Sequence, residues 1–301
     1  MKNYRINLKK LRQEAIDSFV QITNILHKYE IEYWLDYGTL LGAIRDKTII
    51  PWDGEFDIST LESSLDLNSP MWKDIKGLGY DISFGEFNIK IRKKSQLVGS
   101  FVIDLHRYKE TTKGALYEYG LAPKGFFNNL TLYTYKLLDN AKIIEITPEI
   151  TFTRIYNEIL NKTAAKISEI DTAEVRVVIG EMHRIPFTIY FKDHKIEYDV
   201  IINRKTFTKI IYSIIKILPL GLIKAISALI QNRVNNIKFA PLKKVYVKDY
   251  YKTLSSTEFC GLTFPCFKES EKYLSEVYGE GWRQPTNKWE LMNDSPLSKN
   301  I

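Results

Sequence analysis

The sequence contains little cysteine and no apolar run long enough to cross a membrane unbroken. Its only cysteines, Cys260 and Cys266, are too few for a disulfide framework or a four-thiolate zinc site. The N-terminal stretch MKNYRINLKKLRQEAIDSF lacks the apolar centre of a secretory signal. We therefore expect reduced thiols and a cytoplasmic location.

Basic residues are in excess, yet they do not form a nucleic-acid-binding arm. Lysine and arginine number 43 against 36 acidic residues, which gives a net charge of +7. Such a charge suits nucleic acid, an anionic membrane, phosphorylated small molecules or simply a dispersed lysine surface. Because no helix-turn-helix or zinc-finger spacing occurs, we expect no nucleic-acid partner.

The first 110 residues predict an α+β core. Apolar residues recur at steps of three and four over residues 8–29, which indicates an amphipathic helix. YWLD at 33–36 predicts a short buried strand, and TLLGAIRD at 39–46 predicts a helix after a glycine turn. IIPWDGEFDIST predicts a loop followed by a strand. Further strands of one sheet are predicted by YDISF, FNIKIRK and residues 98–108.

The middle of the chain has weaker patterns. Residues 149–170 predict helix, and residues 184–202 predict a hairpin that turns near Lys192-Asp193-His194. Residues 209–230 are the most apolar stretch, and they predict two short helices kinked at Pro219. These helices either pack inside the protein or lie in a membrane interface with their lysines towards the headgroups, because both arrangements use the same pattern.

Three acidic residues point to a metal site. Glu55 and Asp57 are two apart on a predicted strand, so they project from the same face and repel each other unless a cation lies between them. Asp104 interrupts the apolar run FVIDL, where a buried acid needs a partner. That partner is either Arg92 or Arg107, or a metal ion shared with Glu55 and Asp57. Paired carboxylates suit Mg²⁺ or Mn²⁺.

The turn before this strand suggests phosphate binding. Gly38-Thr39 opens a predicted helix, whose first backbone N–H groups can hold a phosphate. Arg45 can add a charge-assisted contact, or it can be a solvated residue at the helix end. A phosphate cradle followed by three acids is typical of a phosphoryl-transfer site.

Three separated blocks carry a recognisable pattern. They are YWLDYGTLLGAIRDKTIIPWDGEFDI at 33–58, VIDLHRY at 102–108 and GLTFPCFKESEKYLSEVYGEGWRQP at 261–285. In this order they resemble the LicD/fukutin-type phosphotransferase family. The resemblance implies a nucleotidyltransferase-like fold, in which helices flank a mixed β-sheet core. Residues 1–110 would form the catalytic core, 111–240 a helical and β-hairpin insertion, and 241–301 a C-terminal segment that includes a substrate loop.

The resemblance also implies roles for individual residues. It assigns the metal ligands to Glu55, Asp57 and Asp104, and we prefer Asp104 as the general base. Gly54-Glu55 stands where the family has two aspartates, so the negative charge at position 55 is kept on a side chain one methylene longer. Seven residues are expected to contact substrate: Asp36, Gly38, Thr39, Arg45, Asp53, Tyr278 and Trp282.

The expected reaction moves a phospho-alcohol from a CDP-activated donor to a hydroxyl of a cell-surface glycan, with release of CMP. Donors in the family include CDP-choline and CDP-ribitol. A lipid-linked acceptor would bring the protein to the inner face of the membrane as a peripheral protein. Two alternatives remain open at this point: a nucleotidyltransferase that transfers the nucleotide portion, and a non-catalytic relative that binds glycan or membrane.

Overall fold

The fold is α+β, as the sequence predicts. The computed structural model describes residues 2–85, 87–93, 98–99, 101–123, 127–128, 130–134, 150–179, 186–199, 219–235 and 239–285. The helices that we label are α1 (Leu8–Lys28), α2 (Tyr37–Arg45), α3 (Met71–Gly77), α4 (Phe152–Lys162), α5 (Ile167–Asp171), α6 (Leu220–Asn235) and α7 (Ser270–Tyr278). Single 3₁₀ turns lie at Glu62–Ser64, Tyr250–Lys252 and Glu280–Arg283.

Within the described residues, the strands form one large sheet and three smaller ones. In chain order they are β1 (Lys2–Asn7), β2 (Trp34–Leu35), β3 (Glu55–Leu61), β4 (Tyr80–Phe84), β5 (Asn88–Lys93), β6 (Val98–Gly99), β7 (Val102–Thr111), β8 (Gly114–Pro123), β9 (Ile150–Thr151), β10 (Glu174–Ile179), β11 (Pro186–Phe191), β12 (His194–Asp199), β13 (Phe239–Val247), β14 (Leu254–Phe259) and β15 (Leu262–Phe267).

The central sheet has the order β13-β8-β7-β3-β2, and β5 joins it beside β7 with β4 at its outer edge. Only the β3–β7 pair is parallel among the pairings of this sheet in the described part of the chain. The predicted strands near 55–59, 80–84 and 87–93 are therefore confirmed. The strand expected over 98–108 is two elements, β6 and β7.

Alternation along β3 and β7 separates an apolar face from a polar one. The apolar face carries Phe56, Ile58, Ile103 and Leu105, all buried. Helix α1 covers it, with the Phe19 ring stacked on Phe56 at a centroid distance of 4.5 Å. The amphipathic helix predicted over 8–29 is confirmed as α1. Asn7 caps this helix by accepting a hydrogen bond from the Lys10 amide at 2.9 Å.

The second sheet joins the start of the chain to its middle. Its order is β1-β10-β11-β12. The β11–β12 hairpin turns at Lys192, whose φ is 49°, so the predicted hairpin is confirmed. Within residues 149–170, which the sequence predicts as helical, residue 149 lies outside the described residues, Ile150–Thr151 form β9, and α4 and α5 confirm helix over most of the rest. Arg12 of α1 forms an ion pair at 2.8 Å with Asp171 of α5, which fastens α1 to this region.

The apolar stretch over 209–230 is described only in part. Residues 209–218 lie outside the described residues, and Pro219 directly precedes α6. Helix α6 continues past the predicted end at residue 230 to Asn235. Within the described part of the chain, none of the helices combines the length and the hydropathy that crossing a membrane requires.

A buried carboxylate links four elements of the core. Asp36 lies between β2 and α2, and its side chain accepts hydrogen bonds from the Tyr37 amide at 2.8 Å, the Ser59 hydroxyl at 2.6 Å and the Tyr108 hydroxyl at 2.9 Å. The Tyr273 hydroxyl of α7 donates another. Burial raises the pKa of Asp36, although the bonds from Ser59 and Tyr273 oppose that rise. Asp36 therefore holds α2, β3, β7 and α7 together.

We expect Asp36→Ala to destabilise the fold by about 3–5 kcal/mol, because it leaves buried hydroxyl groups without an acceptor. The matched control is Asp74→Ala, which removes a carboxylate bonded to Lys28 and Tyr29 at the surface. Urea unfolding of both variants measures the difference. Equal losses in the two variants would show that the Asp36 network does not anchor the core.

Candidate active site

The parallel β3–β7 ladder brings two acidic residues side by side. Asp57 lies directly opposite Asp104 in the register, and Ser59 lies opposite His106. Residues two apart on a strand share a face, so Asp57, Asp104 and His106 project to the same side of the sheet. One ligand atom from each lies within 4.8 Å of the others, and all three residues are buried. The fold thus assembles a compact Asp-Asp-His group.

Hydrogen bonds hold Asp57 in place. Its Oδ2 accepts from the Gly38 amide at 3.2 Å, its Oδ1 lies 3.1 Å from His106 Nε2, and its own amide donates to Thr39 Oγ1 at 2.7 Å. The other imidazole nitrogen of His106 lies 2.8 Å from the Tyr117 hydroxyl. Burial lowers the pKa of His106, but the hydrogen bond and charge of Asp57 outweigh it, so the pKa lies above its ordinary value.

Asp104 is only half satisfied. Its Oδ2 receives Lys90 Nζ at 3.1 Å and Asn88 Nδ2 at 3.3 Å, whereas its buried Oδ1 has no hydrogen-bond partner among the described residues. Of the two alternatives for Asp104, the ion pair with Arg92 or Arg107 does not form, and Lys90 takes that place. Lys90 is the partner because it lies opposite Asp104 in the β5–β7 register, while Arg92 lies opposite Val102. A buried carboxylate oxygen without a donor costs free energy unless something else binds it.

The donor set fits a divalent cation. Two buried carboxylates and an imidazole within reach of one ion are ligands that divalent metals accept. The orphaned Oδ1 of Asp104 is the atom that a cation would satisfy. The sequence predicts Glu55 as the third ligand beside Asp57 and Asp104. In the structure the third member of this group is His106, and Glu55 is not part of it.

Two further acids crowd the same region. Glu55 begins β3, open to solvent but surrounded by the lining of the cavity. The charge of Asp57, then burial and the charge of Asp104, raise the pKa of Glu55 to about 7. Burial, followed by the charges of Asp57 and Glu55, raises the pKa of Asp53 well above its ordinary value. These carboxylates repel one another when no cation is present.

Gly38 is required by this crowding. A Cβ at position 38 would overlap the Asp53 carboxylate and lie 3.3 Å from Asp57 Oδ2. The sequence predicts that the first N–H groups of this helix hold a phosphate. The Gly38 amide instead donates to Asp57, so this N–H orients a carboxylate. The start of α2 therefore positions the acidic group.

A cavity of about 520 Å³ opens over the acids. Asp57, Asp104, Glu55, Asp53 and His106 line one side of it. The remaining lining residues come from α2 and its following loop, from β8, from α4 and from the C-terminal segment: Tyr37, Gly38, Leu41, Arg45, Ile50, Trp52, Tyr117, Asn157, Tyr278, Gly281, Trp282 and Gln284. Segments distant in the sequence thus share one cavity.

Arg45 connects the cavity to the C-terminal segment. Its Nε and Nη2 donate to the two carboxylate oxygens of Asp46 at 2.9 and 2.7 Å. Its Nη1 lies 3.4 Å from the Trp282 carbonyl oxygen. The Trp282 indole is itself buried and donates to Ser275 Oγ at 3.1 Å. These contacts keep the aromatic wall of the cavity against α2.

Five of the seven predicted substrate contacts line the cavity, and two do not. Gly38, Arg45, Asp53, Tyr278 and Trp282 are at its surface. Asp36 and Thr39 are buried outside its lining, where each accepts hydrogen bonds from the protein. Through these hydrogen bonds Asp36 and Thr39 stabilise the protein around the cavity. Substrate contact by the other five stays a prediction.

Sequence reasoning did not name His106, Tyr117 or Asn157, which the structure brings to the cavity. His106 could have been found, since it is two residues beyond Asp104 on the same predicted strand and must share its face. Tyr117 and Asn157 carry no local signal, because β8 and α4 reach the cavity only through the tertiary fold.

Comparison with known proteins identifies one family. Residues 30–112 match the family described as LicD/FKTN/FKRP, nucleotidyltransferase domain. An uncharacterized protein of Rickettsia typhi is 32% identical over 138 residues, covering 45% of this chain and 42% of that protein. An uncharacterized protein of Rickettsia prowazekii is 32% identical over 140 residues, covering 45% and 50%. The match spans half or less of the length of these relatives.

We expect the metal-free protein to lose stability as the pH rises. The pKa of Glu55 is raised from 4.5 to about 7 in the folded state, so its contribution is complete below pH 4.5 and is lost as the pH passes about 7. His106 and Asp53 act in the same direction, since their pKa values are also raised. Melting temperatures measured in chelator from pH 5 to pH 8 should therefore fall.

Added Mg²⁺ or Mn²⁺ should restore part of the melting temperature at pH 8, because a cation offsets the repulsion between the acids. Glu55→Gln should flatten the pH dependence, whereas Glu14→Gln on the surface of α1 should leave it unchanged. A melting temperature that stays level or rises between pH 5 and pH 8 would contradict the crowding of the acids.

Proposed function

We propose that this chain, which carries a LicD/FKTN/FKRP nucleotidyltransferase domain over residues 30–112, is a metal-dependent phosphotransferase of glycan modification. Its donor would be a CDP-activated alcohol, of the phosphocholine or phosphoalditol kind. Its acceptor would be a hydroxyl of a cell-surface glycan, and CMP would be released. The observation that carries the proposal is the buried Asp57-Asp104-His106 group, whose three residues lie within the matched domain and line the cavity.

Asp57 and Asp104 would hold the cation, with His106 beside them. Mg²⁺, or Mn²⁺ in its place, would supply positive charge against the phosphate oxygens when bound. His106 orients Asp57 through the bond at 3.1 Å, and Tyr117 fixes the imidazole from its other side. The Gly38 amide holds the second oxygen of Asp57. The protein therefore keeps this carboxylate in one position, as transfer chemistry requires.

In the proposed reaction the acceptor hydroxyl oxygen forms a bond to the phosphorus that bears the alcohol. The bond from that phosphorus to the CMP oxygen breaks, and CMP leaves with the electron pair. The hydroxyl proton passes to a carboxylate. We assign that role to Glu55 in place of Asp104, because Glu55 is exposed at the cavity, whereas Asp104 is buried and bonded to Lys90.

The surroundings suit a charged donor. Arg45 lies in the cavity wall and can approach phosphate oxygens. Tyr278, Trp282 and Trp52 give the cavity aromatic surface on which a base or an alkyl-ammonium group can pack. A nucleotidyltransferase that transfers the nucleotide portion would use the same acids, and the two reactions differ in the product released.

The deciding experiment measures products. The purified protein is incubated with a panel of CDP-alcohols, Mg²⁺ and glycan acceptors, and CMP and pyrophosphate are quantified. We expect CMP, and we expect Asp57→Asn to reduce its release at least about 100-fold, because it removes a ligand charge without changing volume. Asp81→Asn, on the exposed side of β4, serves as the control.

Release of pyrophosphate from a nucleoside triphosphate, without CMP from any CDP-alcohol, would assign the protein to the nucleotidyltransferases. Absence of both products over the whole panel would leave a non-catalytic binding protein. Near-normal turnover in Asp57→Asn at matched Mg²⁺ would refute the role of the buried acids.

Asn157 adds a specificity contact from the middle of the chain. It lies on α4, outside the matched domain, and it lines the cavity. Its Oδ1 is buried and has no hydrogen-bond partner in the part of the protein that the structure describes. A carboxamide oxygen accepts hydrogen bonds, so its natural partner in the cavity is a hydroxyl or amino group of a substrate.

We expect Asn157→Ala to raise KM about three- to tenfold with little change in kcat, since it removes one neutral hydrogen bond to bound substrate. Asn161→Ala, an exposed position on the same helix, is the matched control. Steady-state kinetics with the best CDP-alcohol separate the two parameters. Identical kinetics for the two variants would show that Asn157 does not contact substrate.

A further inference from the structure

Basic charge is concentrated in one segment of the chain. Residues 200–248 contain ten lysines and arginines and no aspartate or glutamate. The net charge of the whole chain is only +7, so the remainder has more acidic than basic residues. Helix α6 and strand β13 belong to this segment. Such an asymmetry attracts an anionic surface from solution.

Helix α6 also exposes large apolar side chains. Leu222 is 46% exposed and Leu229 is 77% exposed. They are seven residues apart, which is two helical turns, so they lie on the same face. Arg233, one turn further on, is exposed as well. This face of α6 combines leucine with positive charge.

These features favour a lipid surface over other anionic partners. Binding to nucleic acid relies on phosphate contacts and does not require exposed leucines. Interfacial segments, in contrast, combine basic residues with Leu and Phe, which enter the boundary between headgroups and acyl chains. We propose that the face of α6 with Leu222, Leu229 and Arg233 docks on an anionic bilayer.

The proposal is independent of the transferase activity. It places the protein at the surface where a lipid-linked acceptor would be found, without crossing the bilayer. The sequence predicts that the apolar stretch either packs inside the protein or lies in a membrane interface, and the proposal adopts the interface for residues 220–230. Leucines of α6 that were part of a core would not be exposed.

Co-sedimentation with vesicles tests the surface directly. Vesicles of phosphatidylcholine alone are compared with vesicles that also contain phosphatidylglycerol, at low and high salt. We expect binding to the anionic vesicles that weakens with salt, and binding at least about tenfold weaker to phosphatidylcholine alone. Leu222→Ser combined with Leu229→Ser should reduce binding at least about tenfold while the melting temperature stays unchanged.

Matched controls come from other faces of the molecule. Leu67→Ser with Leu78→Ser changes two leucines that are 46% and 50% exposed, and it should bind like the wild type. Arg233→Glu should weaken binding, whereas Lys76→Glu on α3 should not. If the serine variant of α6 unfolds, the comparison between the charge variants of α6 and α3 tests the proposal instead.

Three results would overturn the proposal. The first is a wild type that ignores anionic vesicles at low salt. The second is equal binding to neutral and anionic vesicles, and the third is equal loss in the α3 and α6 charge variants. CMP release from soluble substrates is measured on the same samples, so failure of the membrane surface and failure of the transferase activity are told apart.

Discussion

The lateral pairing of Asp57 with Asp104 across the parallel β3–β7 ladder is the constraint on which the site depends. Two buried acids side by side raise the free energy of the folded protein unless positive charge or hydrogen-bond donors compensate. Lys90 and Asn88 compensate one oxygen of Asp104, and the other oxygen is left without a donor. The residual need for a cation is what turns this part of the sheet into a candidate metal site.

Buried carboxylates in this fold have two different uses, and their donors distinguish them. Asp36 is surrounded by hydroxyl groups and one amide, so its charge is satisfied by the protein and it serves the fold. Asp57 and Asp104 lie at the cavity, where Glu55 and Asp53 add negative charge instead of removing it. The rest of the fold therefore tolerates acids at the cavity that the protein does not fully compensate. A ligand can still bind these acids.

The cavity requires chain segments that belong to different parts of the fold. The acids come from the central sheet, and Tyr278 and Trp282 come from the C-terminal segment, which Arg45 holds through the Trp282 carbonyl. Asn157 comes from α4, beyond the domain that matches the family. Substrate selection can therefore vary in α4 and the C-terminal segment while the acids of the sheet stay the same.

The sequence by itself determined helix α1, the strands that flank the site, the α+β class and the shared face of Glu55 and Asp57. These features follow from the periods of helix and strand, which a local pattern contains. Only the tertiary structure decided that Asp104 and His106 lie beside Asp57, that Asp36 is buried outside the cavity lining and that Asn157 reaches the cavity. Those outcomes depend on strand register and on contacts between segments far apart in the chain, and no local period records either.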